Sequence, residues 1–227
     1  VNGVDPVSGQ IGNTLFLYNW TDYMNPDVLE LFERETGVRV IEDSFSSNEE
    51  ALAKLQAGGT GYDLIFPTDY MIEIMIEENL LQKINTENIP NRVNVEKFIN
   101  DFYQGEPYYD PEMEYCMPFM YGTTGIGISS QVENADQIDS WAYLFDPTLA
   151  APFGGRISML NDSREVIGAA LKYLGYSFNS TNDTELAQAR AVLLAQKEWV
   201  YAYDSDQFGS LLLAGDTLLA HGWNGSF

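Results

Sequence analysis

The chain has 227 residues, 45% apolar and 13% aromatic, which is typical of a globular protein with one large or two modest α/β domains. Its 34 acidic and 11 basic residues give a formal net charge of −23, which argues strongly against a nucleic-acid backbone as partner. The charge is compatible with a cationic ligand, and equally with a surface adapted for solubility or a salty habitat.

The chain begins with a polar segment and then a buried strand. Residues 1–13 are predicted to be a flexible tail left after a signal was removed or omitted. Residues 15–18 are typical of a strand in a parallel sheet, and loops at the carboxyl ends of such strands bind ligands. The strand ends in Trp20, Thr21, Asp22 and Tyr23, which suit an organic cation. Trp20 and Tyr23 are equally well explained as core residues.

The first helix is predicted to begin near Pro26. Asn25 or Thr21 caps it, and Gly37 ends it because glycine accepts the left-handed conformation at little cost. The residues expected on its inward face are Val28, Leu29, Leu31 and Phe32.

A β-α-β-α pattern follows. A second strand at residues 38–41 precedes a helix whose Ser47 and Glu50 have the spacing of a capping box. A third strand, residues 63–67, again ends in a polar and aromatic loop before a helix. That loop contains Thr68, Asp69 and Tyr70.

The second half of the chain repeats this pattern. Residues 85–111 are predicted to be mostly loop, and the Gly/Thr-rich residues 122–128 to cross between two lobes. Lobe 1 therefore covers residues 14–121 and lobe 2 residues 122–227. Lobe 2 is predicted to contain strands at residues 156–160, 199–203 and 217–223, and helices after Asp162, at residues 183–196 and before Gly215. The inward face predicted for the first of these helices comprises Val166, Ile167, Ala170, Leu171 and Leu174.

Asp162 and Glu165 stand three residues apart at a helix start, so both lie over its first turn. The same pattern is a capping box, and the two roles are compatible. A carboxylate near the positive end of a helix stays ionised, which suits a permanent ammonium partner better than a general acid. This argues for binding over hydrolysis.

Five strand ends, from both lobes, carry hydroxyl, carboxylate or aromatic groups. Taken singly, such residues are more often ordinary loop or core residues, but a cleft between α/β lobes gathers strand ends. The later ones include Ser205, Asp206 and Trp223. Five Asn-x-Ser/Thr triplets are discounted as glycan acceptors because three of them fall in the predicted cleft.

The sequence contains one cysteine and one histidine, which excludes several kinds of chemistry. One cysteine is too few for an internal disulfide or a cysteine metal cluster. One cysteine and one histidine also do not provide the set of residues that Cys-His catalysis requires. Cys116 is predicted to be a small buried residue, and His221 to lie at a strand end. No cofactor or metal is expected.

Four motifs resemble the polyamine (spermidine/putrescine) substrate-binding proteins of ABC importers. They lie at residues 18–23, 62–70, 162–166 and 223–226, in the family's order and spacing along nearly the whole chain. The resemblance implies a two-lobed, type II periplasmic-binding-protein fold (a Venus flytrap) with a mixed sheet in each lobe. It also implies an extracytoplasmic receptor, periplasmic or lipid-anchored, that is monomeric and not an enzyme. Such a receptor binds spermidine or putrescine in the interlobe cleft and delivers it to ABC permease membrane subunits.

The resemblance also assigns roles to individual residues. Trp20, Tyr23 and Trp223 would line the methylene chain. Thr21 and Thr68, alongside Tyr70, would accept from one terminal amine. Asp162 and Glu165 would take an ammonium from the second lobe, with Ser205 nearby. Asp22 stands where the family often has Glu, and Thr68 where it often has Ser, so both acceptors are kept.

One departure from the family is large, because its members continue for roughly one further domain that crosses back to the first lobe. We therefore expect weakened or absent binding by the 227-residue chain alone. Two alternatives remain at this point: a two-lobed receptor for a metal or another organic cation, and a carboxylate-pair hydrolase using Asp162 and Glu165. The second is disfavoured because both carboxylates would lie on the same side of a substrate.

Overall fold

The computed structural model describes residues 12–21, 23–59, 61–95, 97 and 107–227. They form two compact units. In the sequence, the boundary between the units falls between Tyr121 and Gly122. Residues 1–11 of the predicted tail lie outside the described part. No helix within the described part is both long and apolar enough to span a membrane.

The first unit is built on a sheet of three parallel strands: β1 (Thr14–Trp20), β2 (Arg39–Phe45) and β3 (Leu64–Ile65). The strand order is β2-β1-β3, so β1 is central. The described strand pairs of this unit are all parallel, whereas a mixed sheet was expected here. The carboxyl half of β1, from Leu17 to Trp20, is buried. The predicted buried parallel strand is therefore present.

Three helices follow these strands: α1 (Pro26–Thr36), α2 (Asn48–Gln56) and α3 (Asp69–Glu77). Asn25 caps α1 by accepting the Asp27 N–H at 2.9 Å, and Gly37 ends it with φ of 74°. Both caps of α1 match the prediction from sequence.

The predicted capping box of α2 forms only in part. Ser47 Oγ accepts the Glu50 N–H at 3.2 Å, as expected. The Glu50 carboxylate does not return to the Ser47 N–H but accepts from the Ser46 N–H at 2.9 Å. The Glu50 carboxylate therefore holds Ser46, the residue that precedes the N-cap residue Ser47.

The inward face predicted for α1 is wrong, because none of its residues is buried within the described structure. Val28 is 51% exposed, Leu31 40% and Phe32 39%. Apolar spacing shows which residues share a helix face, but it does not show whether another element covers that face.

Two short 3-10 helices, Thr86–Asn88 and Pro90–Arg92, interrupt the predicted loop region.

The buried carboxylate of Asp110 organises the chain that follows it. It accepts the backbone N–H groups of Glu114, Tyr115 and Cys116 at 3.1, 2.8 and 3.0 Å. Burial, together with the Asp110 charge, raises the pKa of the Cys116 thiol to about 12. Since only a thiolate is a good nucleophile, the thiol is inert at neutral pH.

The second unit contains a mixed sheet of four strands: β4 (Thr124–Ile128), β5 (Ile157–Met159), β6 (Val200–Tyr203) and β7 (Leu219–Trp223). Their order is β4-β7-β5-β6. Strand β5 runs parallel to β6 and β7, and β4 runs antiparallel to β7. The last of the described strands therefore lies inside the sheet.

Helices α4 (Ala142–Phe145), α5 (Pro147–Ala150), α6 (Ser163–Tyr173), α7 (Asp183–Gln196) and α8 (Phe208–Ala214) complete the second unit. On α6, Val166, Ala170 and Leu171 are buried as predicted, but Ile167 is 37% exposed. Gly168 and Ala169 are buried on this helix as well. The buried face is thus wider than the apolar pattern indicates, because small residues also contribute to it.

His221 lies within β7 and not at a strand end, and it is fully buried. Neither of its ring nitrogens has a hydrogen-bond partner among the described residues. The Trp141 ring lies edge-on to it, with the ring centroids 5.6 Å apart.

Gly222 allows two aromatic rings to approach β7. A Cβ atom at this position would lie 2.2 Å from Phe208 Cε2 and 2.8 Å from Phe227 Cζ. Since Phe208 is only 2% exposed, its ring has little room to move. We expect Gly222→Ala to lower the free energy of unfolding by about 1–3 kcal/mol, measured by urea denaturation.

Gly225→Ala is the matched control, because no atom lies within 4 Å of its added Cβ. Equal stability of the two variants would contradict the close packing at Gly222.

Candidate functional site

Asp162 and Glu165 lie together at the start of α6, as the sequence predicts. Asp162 is the N-cap residue, 4% exposed, and its Oδ1 accepts the Glu165 N–H at 3.0 Å. One carboxylate oxygen thus caps the helix, and the cap fixes the direction of the side chain.

The Glu165 carboxylate interacts with the sheet and does not close a capping box. The Thr124 and Trp223 side chains hydrogen-bond to it. Thr124 and Trp223 are paired across β4 and β7, so two adjacent strands hold one carboxylate. Its second oxygen, Oε2, is buried and has no hydrogen-bond partner among the described residues. This oxygen is an acceptor in need of a donor.

Burial raises the pKa of Glu165 above its ordinary value, and the neighbouring Asp162 charge raises it further. The hydrogen bonds from Thr124 and Trp223 and the charge of Arg164 act in the opposite direction. The sequence had indicated that the helix N-terminus would keep the carboxylate ionised. For Glu165 the desolvation of the charged form is the largest influence on the pKa, and it raises the pKa.

Ser205 lies next to this acidic pair, because its hydroxyl accepts the backbone N–H of Asn161 at 3.0 Å. This bond ties the loop after β6 to the residue that precedes Asp162. The structure therefore brings together Asp162, Glu165, Ser205 and Trp223, which we call the acidic cluster. Thr124 belongs to it as well and was missed, because its Gly/Thr-rich segment was predicted only to connect the two lobes.

In the first unit, Trp20 and Tyr23 lie at the carboxyl end of β1. Their rings are 5.9 Å apart, and the Trp20 ring packs against Phe45 at 4.7 Å. Trp20 is 6% exposed, so most of this side chain belongs to the core. Thr21 beside it is half-buried, and Asp22 lies outside the described residues. The role of these residues in binding remains a prediction.

Thr68 and Tyr70 follow the adjacent parallel strand β3, at the same edge of the sheet as the end of β1. Thr68 Oγ1 is buried and has no hydrogen-bond partner among the described residues. The Thr68 N–H donates to Asn48 Oδ1 at 3.0 Å, and Asn48 Nδ2 donates to Tyr70 Oη at 3.0 Å. No sequence pattern indicates this role for Asn48, because it is 20 residues or more from both partners.

The raised pKa of Glu165 predicts an effect on stability. A carboxyl group with a raised pKa in the folded state stabilises the fold while it is protonated and loses that contribution as the pH rises through the folded pKa. We expect Glu165→Gln to have a higher free energy of unfolding than the unmodified protein at pH 7. The difference should disappear below about pH 4, where carboxyl groups are protonated in the unfolded chain too.

Glu30→Gln on the exposed surface of α1 removes the same charge and is the matched control. Equal stabilisation in Glu30→Gln would assign the effect to the overall acidic charge and not to burial of Glu165.

In the described part of the chain, no group of three or more His, Cys, Asp or Glu side chains is arranged to hold a metal ion. The acidic cluster has two carboxylates and is completed by hydroxyl and indole groups. It suits a ligand that donates N–H bonds better than a metal that requires several oxygen ligands.

Comparisons with known proteins find similarity to solute-binding proteins. Residues 27–227 match the family model described as bacterial extracellular solute-binding protein. The chain is 34% identical over 225 residues to the spermidine/putrescine-binding periplasmic protein of Escherichia coli K12, covering 99% of this chain and 62% of that protein. It is 32% identical over 216 residues to a putrescine/cadaverine-binding protein of Pseudomonas aeruginosa, covering 92% and 58%.

A solved structure, a putative spermidine/putrescine ABC transporter protein from Listeria monocytogenes, is also similar. It superposes with a TM-score of 0.84 at 35% identity, over 95% of this chain and 64% of that one. This chain therefore spans less than two thirds of the length of these relatives.

Proposed function

Because the chain belongs to the bacterial extracellular solute-binding proteins, we propose that it is a receptor that captures a linear polyamine, putrescine or spermidine, outside the cytoplasm. The observation that carries the proposal is the buried, unpartnered Oε2 of Glu165 beside Asp162 and Trp223. Similarity to proteins named for spermidine, putrescine and cadaverine binding supports it.

The acidic cluster suits an alkylammonium group for a chemical reason. An ammonium group has three donors and no acceptor, and the cluster offers carboxylate and hydroxyl oxygens. A charged donor compensates the burial of two carboxylates, which are otherwise costly to keep ionised near each other. The Trp223 ring at the same place offers an apolar surface for the adjacent methylene groups.

In this proposal, the first unit binds the apolar part of the ligand and one amine. The rings of Trp20 and Tyr23 contact the apolar part of the ligand. The hydroxyls of Thr21 and Thr68, alongside Tyr70, and the carboxylate of Asp22 accept from an amine. The unpartnered Thr68 Oγ1 supports this assignment, because a ligand N–H group would satisfy it.

The receptor passes its ligand to the membrane subunits of an ABC permease and acts as a monomer, without chemical change to the polyamine. Its place is outside the cytoplasm, either free in a periplasm or attached to a lipid anchor. Two of the matching relatives are named as periplasmic binding proteins, which supports this assignment.

Calorimetry on the complete protein tests the proposal. Putrescine, cadaverine, spermidine and spermine are titrated at matched ionic strength, with choline, arginine and Mg²⁺ as cations of other classes. We expect at least one linear polyamine to bind much more tightly than the other cations. Binding of choline or Mg²⁺ with no binding of any polyamine would contradict the proposal. The 227-residue chain should bind more weakly than the complete protein if further chain contributes to the site.

A further inference from the structure

Both ends of the Asn48 side-chain amide form hydrogen bonds with one segment of the first unit, from Thr68 to Tyr70. It lies in the first turn of α2 and is fully buried. Its Oδ1 accepts the Thr68 N–H at 3.0 Å, and its Nδ2 donates to Tyr70 Oη at 3.0 Å. A buried amide with both ends bonded is rigid, because any rotation breaks at least one hydrogen bond.

The start of α3 is held by side chains other than that of its N-cap residue. Thr68 occupies the N-cap position of α3, but its side chain makes no capping hydrogen bond. Asp69 Oδ1 accepts the Tyr70 N–H at 2.7 Å from within the segment. Asn48, some 20 residues earlier in the chain, holds the Thr68 N–H and the Tyr70 phenol from outside it.

The hydrogen bond to Tyr70 also has a defined direction. Asn48 donates, so Tyr70 Oη accepts from it. Glu49 Oε1 lies 3.5 Å from the same phenol oxygen, and a carboxylate attracts the phenol proton to its own side. Asn48 and Glu49 thus hold the phenol oxygen from one side, the side on which α2 begins.

We propose that Asn48 is a positioning residue for ligand binding: it sets the place of the Tyr70 phenol and of the Thr68 backbone at the polyamine site. The inference rests on the proposed function, and it adds to it a residue that touches no ligand. Asn48 acts through both Tyr70 and Thr68, so part of the affinity lost on its removal depends on an intact Tyr70.

A double-mutant cycle in the complete protein tests the inference. Putrescine affinity is measured by calorimetry for Asn48→Ala, Tyr70→Phe and the double variant. We expect Asn48→Ala to weaken binding about tenfold, the equivalent of one or two lost hydrogen bonds. The double variant should lose less affinity than the two single losses added together, since Asn48 acts partly through Tyr70.

One further variant separates positioning from general stability. Gln56→Ala removes a hydrogen bond of 2.8 Å between the other end of α2 and Glu78, so it perturbs the same pair of segments away from the site. It should leave affinity unchanged.

The outcomes are distinct. If the unmodified protein binds no polyamine, the proposed function fails and the inference fails with it. If it binds putrescine but Asn48→Ala binds as well as Gln56→Ala, the inference alone is overturned. Additive losses in the cycle would overturn it too.

Discussion

Asp162→Asn is expected to weaken putrescine binding by about 10²- to 10³-fold, the range for loss of one partner of a buried charge pair. The variant removes the charge but retains the shape of the side chain. It also retains the helix cap, because Asn is as good an N-cap residue as Asp, so Oδ1 still accepts the Glu165 N–H. The apo protein should therefore unfold at nearly the same denaturant concentration as the unmodified protein.

Asp162→Ala provides the comparison for this experiment. It removes both charge and cap, and it should lose about 1 kcal/mol of stability in addition to the binding defect. Calorimetric titration and urea denaturation of both variants separate the two roles. If Asp162→Asn bound putrescine normally, Asp162 would be a capping residue only.

The second large effect is loss of stability at acid pH through His221. Burial lowers the pKa of His221 to about 4, from an ordinary value of 6.5. The folded protein therefore keeps this ring neutral at pH values where the unfolded chain protonates it. The stability contributed by the neutral ring is fully present above pH 6.5 and is lost as the pH falls towards 4. The loss is about 2 kcal/mol at pH 5 and about 3 kcal/mol at pH 4.

His221→Phe isolates this contribution, because it keeps a ring against Trp141 and removes the titrating group. Urea denaturation at pH 7.5 and pH 5 gives the change for each protein, and the carboxylates contribute equally to both. The variant should lose about 2 kcal/mol less than the unmodified protein between these pH values. Equal losses would show that His221 does not titrate differently in the folded and unfolded states.

Much of the fold was predictable because its signals are local. The caps at Asn25 and Gly37 and the bounds of the helix Asp183–Gln196 follow from neighbouring residues, and the structure confirms them. The periplasmic-binding-protein fold was inferred from four motifs, and it is confirmed by the TM-score of 0.84 to a solved relative. For the site, the grouping of Asp162 with Glu165 followed from spacing alone.

The remaining features depend on tertiary contacts that the sequence does not show. The apolar residues of α1 share a face, but no described element buries them. Asn48 follows a capping serine and resembles an ordinary first-turn residue, yet its partners belong to another segment. Thr124 reaches Glu165 only because β4 pairs with a strand almost 100 residues later. Chain separation hides such contacts from pattern analysis.

The position of β7 between β4 and β5 has a consequence for synthesis on the ribosome. Among the described strands, β4 has no partner other than β7. The backbone N–H and C=O groups of β4 therefore lack a partner strand until Leu219–Trp223 has left the ribosome. The first unit differs, because its central strand β1 is made first and each later strand adds to it. The nascent first unit can therefore order progressively, whereas the second exposes an open strand edge and unburied core until Leu219–Trp223 has been made. Chaperones that recognise such surfaces should act on the second unit for longer.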